Sequence, residues 1–193
     1  MQRHHAKPLH AAFIDAPDSL WTYMSFGPFR DRDGFAAALE TMIEDPTLLP
    51  YVAVVDDVPA GFASYLRIQA SEGVIEIGSI TFSPRLQHTT AATESLHLMI
   101  RNVFALGYRR CEWKCDALNA ASRSAAVRLG FTHEGTFSQA THYKGRNRDT
   151  AWYAITDKEW PALDIAFQRW LASDNFDDEG RQRRRLEEMM EKT

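Results

Sequence analysis

Cysteine is scarce in this chain of 193 residues, which contains only Cys111 and Cys115. If residues 109–115 form a strand, the two thiols share one face but lie about 13 Å apart, at roughly 3.3 Å per residue. That separation is too long for a disulfide, and the ligands of one metal ion must also lie closer together. We therefore predict two buried, small apolar residues without a redox or metal-binding role.

The sequence also lacks long apolar runs, an excess of basic residues and a recognisable spacing of metal ligands. No segment approaches the length that spans a bilayer, and the first residues, MQRHHAKPLH, contain no apolar signal core. The net charge of −4 argues against a broad basic surface for nucleic acid. The seven histidines are dispersed and form no HExxH pattern. These absences predict a cytoplasmic protein with no membrane, nucleic-acid or metal partner.

Length and composition fit a single globular domain. Hydrophobic residues make up 45% of the chain and charged residues 25%, both ordinary for a protein with a packed core. We predict one domain over residues 1–172. Residues 173–193 are highly charged, and we interpret them as a tail that forms a frayed helix or a helix in contact with a partner.

One stretch, from Val74 to Glu94, organises the rest of the chain. Its first part, VIEIGSITF, is rich in β-branched residues and predicts a buried strand that ends before Pro84. From Thr89 onward, apolar residues recur at helical spacing. The first amides of a helix have no internal partners and attract anions, so the turn between strand and helix is a candidate phosphate cradle. An N-cap by Thr89 or Thr90 would explain the same residues without a ligand.

Hydrophobic periodicity predicts the remaining elements of a mixed α and β domain. Pro, Gly and polar clusters separate them at each boundary. The predicted helices cover residues 5–16, 31–45, 89–106, 120–129 and 159–171, and the predicted strands cover residues 51–55, 61–70, 74–82, 109–116, 131–143 and 150–156.

Two motifs resemble those of the GNAT acetyltransferases. Gln87 and Ala92 match the ends of the family's pyrophosphate-loop pattern, Gln/Arg-x-x-Gly-x-Gly/Ala, with Thr90 in place of the usual glycine. Downstream, NAAS at residues 119–122 and RLGF at residues 128–131 resemble the family's Asn-x-x-Ser…Lys-x-Gly-Phe element. Within the family, the chain looks most like the RimJ/RimL-like branch, which includes the ribosomal-protein N-terminal acetyltransferases.

The resemblance implies an α/β fold, with a central, mostly antiparallel twisted sheet and helices on both faces. Because the first predicted helix begins almost at once, we expect that the family's first edge strand is either missing or supplied by another segment. The implied reaction is direct attack of an amine on acetyl-CoA. The acceptor would be a primary amine on a small molecule or a protein N-terminus, and a homodimer is a further expectation.

The resemblance also implies which residues hold acetyl-CoA. The pyrophosphate would lie on amides of the turn, with help from Gln87 and the hydroxyls of Thr89 and Thr90. A main-chain amide at the end of the strand would polarise the thioester carbonyl, and the Asn-x-x-Ser element would contact the pantetheine. The predicted set is Ile80, Thr81, Phe82, Gln87, His88, Thr89, Thr90, Ala91, Ala92, Thr93, Asn119 and Ser122.

Deprotonation of the acceptor requires a base. At pH 7 it costs about 1.4 kcal/mol for an α-amine and roughly 4.6 kcal/mol for a lysine, so an α-amine tolerates a weak base acting through water. Glu76 is the leading candidate, with a strand-face ion pair as its alternative role. Asp116 is the second, and it competes with a role in ordering the turn before Asn119. Ala126 stands where many relatives have a tyrosine general acid, so Ser122 or a water would fill that role.

Two further segments are candidates for binding the acceptor. The aromatic loop that contains Trp21, Tyr23 and Phe26 either packs inward or forms a wall of the acceptor pocket. The basic turn KGRNRD, residues 144–149, either attracts an acidic acceptor or is simply a solvated connection.

Two other kinds of protein fit the same residues. One is a catalytically silent module that binds or senses acyl-CoA, which the substitutions at Thr90 and Ala126 would favour. The other is an interaction protein that has kept the fold and lost the ligand.

Overall fold

The computed structural model describes residues 1–190, which form a six-stranded sheet with helices on both faces. The strands are β1 (Leu48–Val55), β2 (Val58–Gln69), β3 (Val74–Phe82), β4 (Arg110–Asp116), β5 (Thr132–Tyr143) and β6 (Arg146–Thr156). The helices are α1 (Ala6–Ala12), α2 (Arg32–Glu44), α3 (Thr90–Ala105), α4 (Ala120–Arg128) and α5 (Trp160–Leu171). Each predicted element is present, with shifts at some boundaries.

The sheet has the order β1-β2-β3-β4-β6-β5, which confirms the predicted fold class. All neighbouring strands are antiparallel except β3 and β4. These two pair over only three positions, from Val74 opposite Arg110 to Glu76 opposite Glu112. Within the described residues they make no later pair, so the sheet opens into a cleft towards the carboxyl ends of β3 and β4.

Each face of the sheet carries its own apolar core. On one face, α3, α4 and α5 pack over β2, β3, β4 and β6 around residues such as Ile77, Ile100 and Phe167. Cys111 and Cys115 are buried in the same cluster as free thiols, as predicted. On the other face, α1 and α2 pack over β1 and β2. The second core comprises Leu9, Phe13, Trp21, Phe35, Leu39, Met42 and Phe62.

The chain begins without a strand, as expected. Across residues 1–190 no strand precedes β1. Gln2 is extended, and the Met1 ammonium donates a hydrogen bond to the Pro50 carbonyl of β1 before the first helical turn begins at Arg3. Pro50 has no amide hydrogen to donate, which suits its place in an edge strand.

The β5–β6 hairpin is tighter than predicted. The turn contains only Lys144 and Gly145, both with positive φ (49° and 75°). Two left-handed residues form the kind of turn whose twist matches that of the flanking strands. As a result, Arg146 and Arg148 lie in β6 rather than in a loop. Side chains alternate along a strand, so both arginines lie on the same face of the sheet.

The prediction of a helical tail is wrong for residues 173–190. They form two short 3-10 turns and an isolated bridge between Phe176 and Gln182. Gly180, with a φ of 75°, turns the chain back, and Leu186 is fully buried in the core beneath α3, α4 and α5. Residues 191–193 of the predicted helix lie outside the described residues. The domain boundary at residue 172 stays a prediction.

The described residues contain neither a membrane-spanning helix nor a cluster of metal ligands. No helix there is long and apolar enough to cross a membrane. Nor do three His, Cys, Asp or Glu side chains in residues 1–190 converge as metal ligands. The cytoplasmic location and the homodimer stay predictions.

Candidate active site

A bulge in β3 lies beside the cleft. Phe62 of β2 pairs with Thr81, but Ser64 pairs with Gly78, so β3 contains an extra residue at this point. Ser79 has a φ of 50°, a left-handed backbone conformation that residues other than glycine rarely adopt. Within residues 1–190, the edge of β3 that faces β4 has no strand partner beyond the bulge. The predicted carbonyl-polarising segment, residues 80–82, lies along this edge.

The turn after β3 leaves main-chain amides free at the start of α3. The Thr89 hydroxyl accepts a hydrogen bond from the Ala92 amide (3.1 Å), so Thr89 is the N-cap. The amides of Thr90 and Ala91 have no acceptor among residues 1–190. They point out of a helix end with partial positive charge, which is the geometry that binds phosphate.

The absence of the family's glycine from this turn has a simple explanation. Thr90 begins α3 without a positive φ, so no glycine is needed there. His88 takes the left-handed conformation instead, with a φ of 60°. Gln87 anchors the turn, because its side-chain amide donates to the Phe82 carbonyl at the end of β3 (2.9 Å). The Thr89 hydroxyl donates to the Leu86 carbonyl (2.7 Å), so both side chains are engaged in holding the turn.

The Asn-x-x-Ser element holds the start of α4. The side-chain Oδ1 of Asn119 accepts from the Ser122 amide (3.1 Å), and the Ser122 hydroxyl accepts from the indole of Trp113 (3.0 Å). Ala126 is fully buried against the sheet. The position where relatives have a tyrosine therefore contributes no hydroxyl to the cleft.

Glu76 is a buried carboxylate on the face opposite to α3. Its neighbours Ile75 and Ile77 point into the α3 core, and Glu76 itself is 2% exposed. Both of its oxygens accept from Arg67 (2.7 and 2.8 Å), and Lys114 lies 2.9 Å away. The ion pair foreseen as its alternative role is therefore present.

The Glu76 carboxylate also extends towards the open end of β3. A Cβ atom added to Gly78 would lie 3.3 Å from a Glu76 oxygen. Because Gly78 has no side chain, the Glu76 carboxylate has space on the side that faces the cleft.

Glu76 belongs to a chain of ion pairs across this face. Lys114 contacts both Glu76 and Glu112 (2.7 Å), and its ammonium lies 3.9 Å from the centre of the Trp152 ring. The links continue through β4 to β5. We refer to Arg67, Glu76, Lys114, Glu112, Arg110 and Glu134 as the ion-pair chain.

Asp116 organises the end of β4. Its buried carboxylate accepts from the Leu118 amide (2.9 Å), the Tyr143 hydroxyl (2.9 Å) and Arg146 (2.6 Å). Burial alone would raise its pKa, but these hydrogen bonds and the Arg146 charge outweigh burial, and the pKa lies below its usual value. The side chain has the ordering role that the sequence offered as its alternative, since it fixes the turn before Asn119.

The aromatic loop divides into a buried part and an accessible part. Trp21 is 4% exposed and packs against other aromatic rings, which supports the inward-packing alternative and leaves little of its surface for an acceptor. Phe26 is half-buried against the same core. Tyr23 is also half-buried, but its hydroxyl donates to the Leu118 carbonyl (3.0 Å), beside the start of α4.

A lysine ties this loop to the β5–β6 hairpin. The Lys144 ammonium donates to the carbonyls of Trp21 (2.8 Å) and Gly27 (2.9 Å), and more weakly to that of Phe26 (3.4 Å). These contacts bring the loop and the hairpin together at the end of β4. Tyr23, Asp116 and the hairpin therefore border the same end of the cleft.

Two candidate residues in β6 were missed in the predicted site. Arg148 and Thr150 lie two positions apart, and the Arg148 Nε and the Thr150 hydroxyl are buried without a hydrogen-bond partner among the described residues. The structure begins β6 at Arg146, whereas the sequence predicts a loop up to residue 149. The alternation that places both side chains on one face is therefore absent from the prediction.

Comparisons with known proteins agree with this geometry. A family model described as an acetyltransferase (GNAT) domain matches residues 1–132. The chain is 40% identical to a GCN5-related N-acetyltransferase from Brucella melitensis, with a TM-score of 0.95, covering 97% of this chain and 87% of that one. No curated protein sequence matches significantly.

More distant structures share the fold. One is an acetyltransferase from Salmonella typhimurium that modifies the N-terminal serine of ribosomal protein L7/L12; it is 22% identical, with a TM-score of 0.69, covering 80% of this chain and 91% of that one. Another is the microcin C7 self-immunity acetyltransferase MccE in complex with acetyl-CoA and AMP, at 20% identity and a TM-score of 0.70, covering 80% and 88%. Identities this low indicate fold alone, so the RimJ/RimL-like branch stays a prediction.

Proposed function

This chain belongs to the GNAT acetyltransferase family, and we propose that it transfers the acetyl group of acetyl-CoA to a primary amine on a small molecule or a protein N-terminus. The observation that carries the proposal is the cleft between β3 and β4. A free helix N-terminus lies at one side of the cleft and a buried carboxylate, Glu76, lies on the opposite face of the sheet.

The start of α3 fits the pyrophosphate of acetyl-CoA. The amides of Thr90 and Ala91 are free, and the helix dipole favours an anion there. The Thr90 hydroxyl is a further donor. Gln87 and Thr89 would act indirectly by holding the turn, because both side chains already bond to main-chain carbonyls.

The unpaired edge of β3 suits the thioester. A main-chain amide of Ile80, Thr81 or Phe82 would donate to the carbonyl oxygen as negative charge develops on it. A donor fixed in a strand needs no reorganisation during the reaction, which is why such amides stabilise tetrahedral intermediates. The bulge at Ser79 would set the direction of this amide.

Glu76 is the proposed base, acting through water on the amine. A proton leaves the acceptor ammonium for the Glu76 carboxylate, and the free amine then attacks the acetyl carbon. The C–S bond breaks, and the second proton that the nitrogen loses is relayed to the thiolate through water or the Ser122 hydroxyl, so that the products are the amide and the CoA thiol. Asp116 stays the second candidate, because the hydrogen bonds and the Arg146 charge that hold its carboxylate lower its pKa below the usual value and weaken it as a base. A weak base suffices for an α-amine acceptor.

The buried Ala126 favours one alternative, a silent module that binds acyl-CoA without turnover. A thermal melt with acetyl-CoA, followed by an assay of thiol release with small amines and N-terminal peptides, separates the two functions. Ligand at about 100 times its dissociation constant stabilises the fold by roughly 2.7 kcal/mol. A shift with turnover supports the enzyme, a shift without turnover supports the silent module, and no shift rejects both.

A further inference from the structure

Two adjacent donors on one face of β6 have no partner in the protein. The Nε of Arg148 and the hydroxyl of Thr150 are both buried, and neither makes a hydrogen bond within residues 1–190. A buried donor without an acceptor destabilises the fold by the full desolvation penalty of the group, so most such groups in folded proteins are paired. Two of them side by side indicate a place where an acceptor from outside the chain binds.

Among Lys144, Arg146 and Arg148, the basic residues of the hairpin, Arg148 is the one whose charge has no polar partner within the described residues. Arg146 donates to Asp116 and to the Tyr143 hydroxyl (both 2.6 Å), and Lys144 donates to the carbonyls of the aromatic loop. Arg148 forms no ion pair, and its guanidinium lies 5.9 Å from the centre of the Tyr143 ring. The residue is half-buried rather than sealed, so a ligand is able to approach it.

These donors border the cleft on the face that carries Glu76. Thr150 pairs with Asp116, which ends β4 beyond the point where β4 leaves β3. An apolar surface adjoins them, because Phe137 pairs with Thr150, is 56% exposed, and its ring centre lies 4.7 Å from that of Trp152 in a tilted arrangement. The surface therefore offers a cation and a hydroxyl next to an exposed phenylalanine ring.

We propose that this surface selects the acceptor, and that the acceptor is an amine that carries a carboxylate next to an apolar group. The inference rests on the proposed function and names the class of its substrate. A guanidinium binds a carboxylate with short, charge-assisted hydrogen bonds, and Thr150 supplies another donor. Arg148 and Thr150 are thus specificity-determining residues, and the carboxylate belongs either to a small molecule or to an acidic residue near a peptide N-terminus.

Matched acceptors test the proposal. One pair is 4-(aminomethyl)benzoate and 4-(aminomethyl)benzamide; the other is alanyl-glutamyl-phenylalanine amide and its glutaminyl counterpart. A hydrogen bond to a charged group corresponds to a preference of about tenfold or more in kcat/KM for the acidic member of at least one pair. The pair that shows the preference identifies the source of the carboxylate. Equal rates within both pairs would overturn the proposal.

Variants show whether Arg148 is responsible. Arg148→Met should abolish the preference by lowering kcat/KM for the acidic acceptor about tenfold more than for its neutral partner, and Arg148→Lys should restore part of it. Arg32→Met, on an exposed arginine of α2, is the matched control. A preference that survives Arg148→Met, or an equal loss for acidic and neutral acceptors, would refute the role.

Thr150→Val gives a readout that a structural role would not produce. If the hydroxyl is unpaired in the free protein, its removal should leave the melting temperature unchanged or raise it, while reducing the preference for acidic acceptors. A lower melting temperature would mean that the hydroxyl has a partner inside the fold.

Binding without turnover separates this inference from the proposed function. The N-acetylated forms of all four compounds are titrated by calorimetry into the full-length protein, with and without CoA. Arg148-dependent binding of the acidic forms supports the surface even if acetyl-CoA causes no thermal shift, in which case only the proposed function fails. A thermal shift with acetyl-CoA, but no binding of the acidic forms, refutes this inference alone.

Discussion

The two sides of the cleft are built from different parts of the protein. The proposed acetyl-CoA side consists mainly of main-chain groups from one continuous stretch, residues 79–92, which contains the bulge and the start of α3. The proposed acceptor side consists of side chains that are distant in sequence, such as Tyr23, Asp116 and Arg148. A main-chain site tolerates changes of side chain, whereas a side-chain site changes its ligand with each substitution. The first side suits a constant co-substrate and the second a variable acceptor.

The largest expected effect comes from Glu76→Gln, which tests whether the two sides meet at this carboxylate. Loss of a general base lowers kcat by about 10² to 10⁴-fold. The dissociation constant of acetyl-CoA, measured by calorimetry, should not change, because Glu76 faces away from α3.

Glu134→Gln is the control for Glu76→Gln, because it removes the carboxylate at the far end of the same ion-pair chain. Its kcat should match that of the unmodified protein. Activity retained in Glu76→Gln, with an unchanged melting temperature, would exclude Glu76 as the base.

The second effect isolates the acetyl-CoA side. Thr90→Glu places a carboxylate beside the proposed pyrophosphate, and like charges at this range weaken binding by about 10- to 100-fold. Without ligand the variant should melt at the same temperature or higher, because an acidic residue in the first turn stabilises a helix by about 0.3–1 kcal/mol.

The matched substitution in the first turn of another helix is Arg32→Glu in α2. It should leave the affinity for acetyl-CoA unchanged. Unaltered affinity in Thr90→Glu as well would mean that the turn is not the phosphate site.

The third effect isolates the acceptor side through pH. The pKa of Asp116 is lower in the fold than its ordinary value of 3.8, so its stabilising contribution is complete above that value. The contribution is lost as pH falls through the lower, folded pKa. Asp116→Asn should lose about 1.5–3 kcal/mol near neutral pH, the usual contribution of hydrogen bonds to a charged group.

The unfolding free energy of Asp116→Asn should also change less with pH below about pH 4 than that of the unmodified protein, as urea titrations at several pH values would measure. Identical slopes would mean that another carboxylate controls the acid response. The affinity of Asp116→Asn for acetyl-CoA at pH 7 is the internal control.

The smallest effect concerns the tie between the aromatic loop and the hairpin. Lys144→Met removes hydrogen bonds to the carbonyls of the loop, so we expect a loss of about 1 kcal/mol in unfolding free energy and a several-fold rise in the KM of the acceptor. The KM of acetyl-CoA should stay constant. Lys158→Met, on an exposed turn, is the control. A rise in both KM values would show that the two sides are not independent.

The same contrast explains what the sequence could predict. Hydrophobic periodicity identified each strand and helix, and the residues from Gln87 to Ala92 identified the turn, because these signals are local. The sequence shows that Thr90 replaces the family's glycine but does not show why the replacement is tolerated. The reason is that His88 takes the left-handed conformation instead, and this depends on how the turn closes.

Non-local contacts account for what the sequence did not predict. The burial of Trp21 depends on its packing against Phe13, which follows α1, and against Phe29, later in the same loop. Arg148 was placed in a loop because no local signal showed that the hairpin closes at Lys144 and Gly145. The burial of Leu186 depends on contacts with α3 to α5, which a charged sequence does not reveal.

The ion-pair chain gives the fold a particular response to heat. It links four strands, β2, β3, β4 and β5, through charges of which Glu76 and Lys114 are almost fully removed from water. The hydration of charged groups becomes less favourable as temperature rises, so the penalty for burying them falls, while hydrophobic stabilisation reaches a plateau. The ion-pair chain therefore contributes more to the stability of the sheet on warming, and β3, which holds the proposed base, is one of the four strands that it links.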